Sequence, residues 1–155
     1  VRVVIAAVGR PKDGAVAAAI RDYETRAERY WPLVIAEVRG ERAEAGMTPA
    51  SVMAREGERL LERVRGIATV VTCDPGGRSM TSERFAEWLQ RERESARDVA
   101  FVIGGAFGLD DAVRVRAQSS LSLAPWTLPH ELARLVLAEQ LYRAGTIVRG
   151  EPYHK

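Results

Sequence analysis

The sequence has a single cysteine, Cys73, so it holds no internal disulfide and gives no sign of an oxidising compartment. It has two histidines, His130 and His154, too few for a metal site of their own, and no cysteine–histidine spacing that suits zinc. Long apolar runs are missing: the longest, residues 3–8 and 99–103, fall far short of a membrane span. The first residues lack the basic-then-apolar pattern of a leader, which points to a cytoplasmic protein. Lysine is scarce, for 21 of the 23 basic residues are arginine and only Lys12 and Lys155 are lysine. Set against 21 acidic residues, they leave a net charge of +2, too small for a broad electrostatic hold on nucleic acid. A G-x-S-x-G elbow and the Gly-Lys-Ser/Thr of a P-loop are also absent.

What remains is ordinary globular material: 155 residues, 46% apolar and 28% charged. That length predicts one domain over residues 1–155, with a core that needs neither metal nor disulfide. The arginines are scattered among glutamates, a pattern that genomic base composition explains as readily as phosphate recognition.

Strand and helix signals alternate along the chain. The β-branched run 2–8, ended by Gly9-Arg10-Pro11, predicts a buried first strand, and residues 13–30 an amphipathic helix. Trp31-Pro32 breaks that helix before a short strand at 33–38. Thr48-Pro49 supplies an N-cap and a first-turn proline for a helix to about residue 65, where Gly66 stops it. A third strand follows at 67–72, then a turn cluster at 74–77, and Thr81 or Ser82 caps the next helix. The reading continues with a strand at 98–103, a short helix at 110–118, a strand at 121–123 and a helix at 129–144 that Gly145 ends. Leu132, Leu135, Val136, Leu141 and Tyr142 mark the apolar face of that last helix. The pattern predicts one α/β domain with a mostly parallel sheet.

Three segments stand out. Gly104-Gly105-Ala106-Phe107-Gly108 follows a strand and precedes a helix, where ligands of open α/β sheets bind and glycines let a backbone approach them. The same segment also suits a tight turn with no ligand. Residues 121–130 (LSLAPWTLPH) hold two prolines, an aromatic and a histidine, and their backbone groups need partners. A planar heterocycle would supply those partners, and so would neighbouring strands. The chain finishes on Pro152-Tyr153-His154-Lys155, which carries an aromatic, an imidazole and a cation where termini are usually nondescript. Pro152 predicts a semi-rigid projecting arm.

Taken together, Gly104-Gly105-x-x-Gly108-Leu109, Leu121-Ser122-Leu123, Thr127-Leu128-Pro129-His130, Leu141-Tyr142-Arg143-Ala144 and Pro152-Tyr153-His154 resemble the RlmH family. These are SPOUT-superfamily methyltransferases of pseudouridine in large-subunit ribosomal RNA. Val3–Val8 with Gly9, Arg55-Glu56-Gly57, and Asp74 with Gly76-Gly77 and Ser82-Glu83 resemble further family blocks, so the likeness covers nearly the whole chain. The resemblance implies an α/β-knot with a C-terminal trefoil, a topology that general rules of chain connection would not propose. It implies S-adenosylmethionine as cofactor, held by Cys73, Gly104, Gly105, Leu123, Ala124, Pro125, Trp126, Thr127 and Leu128. It further implies a homodimer whose site receives the partner's tail, with ribosomal RNA within an assembled ribosome as substrate and with neither metal nor membrane.

On that footing His154 is the candidate base for the N3 proton, Arg143, Tyr153 and Lys155 are candidate orienting or electrostatic groups, and Tyr153, His154 and Lys155 are candidate RNA contacts. The chain departs from the family pattern at Cys73, often leucine, at Ala106-Phe107, commonly proline and an acid, and at Lys155, usually arginine. The rival readings are a non-catalytic ribosome-binding knot protein and a SPOUT enzyme of transfer RNA.

Overall fold

The computed structural model describes residues 1–42 and 44–154. Apolar β-branched runs form the strands β1 (Val3–Val8) and β4 (Val99–Ile103) at the centre of a sheet, buried along their whole length. Such runs suit a parallel sheet covered on both faces. β2 (Leu33–Val38), β3 (Thr69–Arg78) and β5 (Ser119–Leu121) complete five strands in the order β2-β1-β4-β3-β5, with every pairing parallel. The sheet is thus parallel throughout, where sequence pattern predicted it mostly so.

Strand residues alternate between two cores. Val3, Ile5 and Ala7 of β1 join Val99, Phe101 and Ile103 of β4 on one face. There they meet Ala27 at the end of α1 (Gly14–Ala27), Leu89 of α3 (Ser82–Glu94) and Leu137 and Leu141 of α5 (His130–Val148). Val4, Ala6 and Val8 face the other way with Ala100 and Val102, against Leu60 of α2 (Pro49–Arg63) and Val113 of α4 (Asp111–Arg116). Asp13, Thr48 and Thr81 cap α1, α2 and α3 through their side chains, close to where sequence placed the starts.

Four expectations shift. The turn cluster at 74–77 lies inside β3, as a bulge between Cys73 and Arg78, both in register with Leu121. Gly77 makes the bulge possible, since a Cβ there would stand 2.7 Å from the Ser120 backbone. β5 begins two residues earlier than the apolar pattern suggested, because Ser119 and Ser120 pair with Val71 and Thr72 at an edge where polar residues are tolerated. Gly145 does not end α5. It is buried where a methyl group would run into the Tyr30 ring, so its role is close helix packing, and the chain turns at Gly150 with φ +69.

The fourth shift concerns the inner face of α5, which carries Arg134, Leu137, Ala138, Leu141 and Ala144, while Leu132 is exposed. Arg134 hid this face from periodicity by placing a cation at a core position. It donates to Glu24 of α1 (Nε to Oε1, 2.7 Å) and to Glu37 of β2 (Nη1 to Oε2, 2.7 Å). Trp31 locks the same packing, donating from Nε1 to the Leu141 carbonyl at 2.9 Å.

Candidate active site: a loop-built cavity and a docked tail

Parallel strands direct their carboxyl ends to one edge of the sheet, and there β3 and β4 open into a cavity of about 700 Å³. Its volume falls in the range of small-molecule and cofactor sites. Cys73 and Asp74 come from β3, Gly104 to Leu109 from the turn after β4, and Leu123, Ala124, Trp126, Thr127 and Leu128 from the loop before α5. His130 and Ala133, at the start of α5, close one side. Of the residues that sequence proposed for the cofactor, all but Pro125 line this space; Pro125 is exposed and does not.

Gly104 and Gly105 are needed as glycines. A Cβ on Gly104 would lie 2.7 Å from the Gly108 carbonyl carbon, and one on Gly105 would lie 2.9 Å from Oε1 of Glu56. Gly108 turns the chain back with φ +86, and its amide donates to the Gly105 carbonyl at 3.1 Å. Two aromatic side chains stand at this cavity largely in solvent, Phe107 at 46% and Trp126 at 79% exposure.

The polar part of the wall was not legible in sequence. Arg114 of α4 pairs with Asp74 across forty residues of chain. Partial burial opposes charge on Asp74, yet the Gly76 amide and the Arg114 guanidinium hold its carboxyl below its ordinary value. Burial, with Asp74 beside it, pushes the half-buried Cys73 thiol up to about 12. Cys73 is therefore a protonated, apolar piece of wall at neutral pH.

The residues proposed for catalysis stand elsewhere. Arg143, Tyr153 and His154 do not line the cavity. The tail is no projecting arm, for Glu151 donates its amide to the Thr146 carbonyl at 2.8 Å and accepts from the Tyr30 hydroxyl at 2.5 Å. Pro152–His154 then form one 3-10 turn against α5.

Glu139 is the hub of this docking. Its Oε1 accepts from Arg143 (Nη2, 2.6 Å; Nε, 3.0 Å) and from the Tyr153 hydroxyl at 3.1 Å. Tyr142 meets Tyr153 edge-on at 4.5 Å, and Arg143 lies over the Tyr153 ring at 5.0 Å. Burial, then the Tyr23 hydroxyl and the Glu139 carboxylate, raise the Tyr153 phenol, so it remains a donor. His154 is half-buried, and its Nδ1 is shielded from solvent without a hydrogen-bond partner. Lys155 lies outside the described residues. Among the described residues no group of three or more His, Cys, Asp or Glu side chains is placed to hold a metal ion, and no helix is long and apolar enough to cross a membrane.

The fold and sequence both have relatives. A probable methylase family protein from Haemophilus influenzae superposes with a TM-score of 0.60 at 14% identity, covering 99% of this chain and 70% of its own. A probable methyltransferase from Bordetella pertussis gives 0.55 at 18% identity, covering 92% and 95%. At these identities the likeness speaks for the fold. Sequence speaks for more. The Ribosomal RNA large subunit methyltransferase H of Gemmatimonas aurantiaca is 61% identical over 154 residues, with 99% of both chains covered. That of an Anaeromyxobacter species, strain Fw109-5, is 47% identical over the same length and coverage. A family model described as predicted SPOUT methyltransferase matches residues 1–154. The chain belongs to the SPOUT methyltransferases, and within them to the S-adenosylmethionine-dependent ribosomal RNA large subunit methyltransferases H.

Proposed function

We propose that this protein methylates N3 of a pseudouridine in a stem-loop of large-subunit ribosomal RNA, acting in the cytoplasm on assembled ribosomes as a homodimer. The observation that carries the dimer is the separation of cavity and tail. Tyr153 docks at Glu139, six residues along α5 from the cavity-lining Ala133, or about 9 Å at the α-helical rise. A chain whose own tail stands that far away needs the tail of a second copy to complete its site. The trefoil implied by the resemblance would form the cofactor pocket at its crossings.

The cavity fits a cofactor with a flat heterocycle and a polar chain. It combines apolar walls (Leu123, Leu128, Ile103), glycine backbone open to close approach, and one ion pair, Asp74–Arg114. Bound there, S-adenosylmethionine supplies an electrophilic sulfonium methyl. Cys73, the Gly104–Gly105 backbone and the loop 123–128 would hold it.

Transfer to N3 requires loss of a weakly acidic ring proton. Tyr153 keeps its own proton and serves as a donor or stacking face. His154 is the acceptor group, its Nδ1 free of any competing bond in the docked tail. Arg143, held by Glu139, orients Tyr153 and adds positive charge beside it. The deciding experiment is labelled methyl transfer to purified ribosomal particles at successive assembly stages, to naked stem-loop RNA and to transfer RNA, followed by mapping of the modified base. Methylation of one pseudouridine on assembled particles alone is expected. Equal turnover on naked RNA removes the ribosome from the substrate, label in transfer RNA replaces the substrate, and cofactor binding with no transfer leaves a binding protein.

A further inference from the structure

Behind the glycine turn lies a carboxylate with half of its hydrogen bonding complete. Glu56, in the middle of α2, is 5% exposed. Its Oε2 accepts the Glu41 amide at 3.0 Å, whereas its Oε1 is buried without a partner. A buried carboxylate oxygen with no donor is strongly disfavoured. Oε1 faces Gly105, since a Cβ built there would lie 2.9 Å from it. Glu56 does not line the cavity and Gly105 does, so the turn separates the carboxylate from the cavity. On the turn, Gly105 and Gly108 pair with each other as an isolated antiparallel bridge, while the Ala106 amide finds no backbone acceptor among the described residues. An acceptor without a donor thus stands beside a turn whose Ala106 amide lacks a backbone acceptor.

The position is built from several directions. Gly57 lets α2 approach α4, for a Cβ there would be 3.1 Å from Cβ of Asp110, at the end of the same turn. Glu41, whose amide holds Oε2, is itself tied to α2 by Arg55 and Arg59. Only glycine at 105 allows a carboxylate this close to the backbone.

We propose that Glu56 is a positioning residue for the cofactor turn: with the cavity filled, the amide of Ala106 donates to Glu56 Oε1 and fixes the turn in its binding shape. The proposal rests on the reading that the cavity holds S-adenosylmethionine. Its test compares wild type with Glu56→Gln by calorimetric titration of S-adenosylmethionine, thermal melting and methyl transfer at saturating cofactor. Glutamine keeps the shape, but one of its terminal atoms is a donor, so it cannot serve both the Glu41 amide and the turn. Loss of one bond to a charged acceptor predicts a Kd about tenfold weaker, from the usual strength of such bonds. The KM for cofactor rises in parallel, kcat stays within about twofold, and the melting point without cofactor is unchanged. A purely structural carboxylate would lower melting and leave Kd alone. Equal Kd values, or a kcat loss at unchanged Kd, overturn the proposal. Should the variant not fold, wild type carrying 13C-labelled glutamate decides: the Glu56 carboxyl resonance moves as cofactor is added, and a stationary resonance overturns the proposal. Wild type that binds no cofactor refutes the cavity assignment and this inference with it; wild type that binds while the variant matches it refutes this inference alone.

Discussion

The cavity and the tail cluster are built from opposite materials. The cavity is largely backbone and apolar wall, shaped by glycines that exclude side chains and by a loop between prolines. The tail cluster is made of side chains, three donor atoms converging on one Glu139 oxygen with aromatic rings packed around them. The first region should fail when atoms are added and the second when atoms are removed. If the cavity holds the cofactor and the tail carries the transfer, as proposed, the two functions should be separable by mutation.

The largest effect expected is from the tail. Deleting residues 153–155 should abolish methyl transfer while cofactor affinity, measured by calorimetry, changes less than about threefold. His154→Ala alone should lower kcat by about two to four powers of ten, the span for one acid–base group. Mixing the deleted chain with a chain defective at Gly104 tests action across the dimer, since hybrid dimers hold one intact cavity and one intact tail. Restored activity supports it, and verified hybrids without activity end it.

Gly104→Ala comes next. Its Cβ would press on the Gly108 backbone, and overpacking on that scale predicts about a hundredfold loss of cofactor affinity. A variant that binds as wild type would show the turn to be less constrained than its geometry implies. A smaller loss, about tenfold in kcat, is expected for Tyr153→Phe, which forfeits one bond to a carboxylate. Its cofactor Kd should not move; a parallel rise would merge the two regions.

The mildest test uses Cys73. With its thiol raised to about 12, the thiolate fraction at pH 8 is roughly one in ten thousand. Alkylation should be slow, accelerate about tenfold per pH unit from 8 to 10, and slow further with bound cofactor. A rate already flat above pH 9 would mean an ordinary thiol outside the wall.

Sequence carried the fold furthest where burial is simple. The runs of β1 and β4 and the caps Thr48 and Thr81 were readable from local chemistry. Reading failed where tertiary contact overrides local signals: Gly145 as packing space for Tyr30, the bulge at residues 74–77, and Arg134 at a core position. The cavity was legible because glycines and prolines constrain backbone wherever they stand, and the resemblance supplied its ligand. The roles of Arg114, Glu56 and Glu139 were silent because an acid or arginine on a helix reads as a solvated face until its distant partner is known. The resemblance marked Asp74 and Glu56 without showing what they touch.

Arg134 has a consequence for how such sequences diverge. Its guanidinium is only 7% exposed and is shared by Glu24 and Glu37, which joins α1, β2 and the cavity end of α5. Removing one member strands charge in the interior, a loss of about 3–5 kcal/mol, while replacing a whole buried ionic set with apolar residues of similar volume is often neutral. Drift at these three positions is thus expected to proceed in concert: single changes should be purged, and lineages should carry either the complete ionic set or a wholly hydrocarbon one. Arg134→Met alone against the triple change with Glu24→Leu and Glu37→Leu would show, in denaturant melts, whether that evolutionary valley exists.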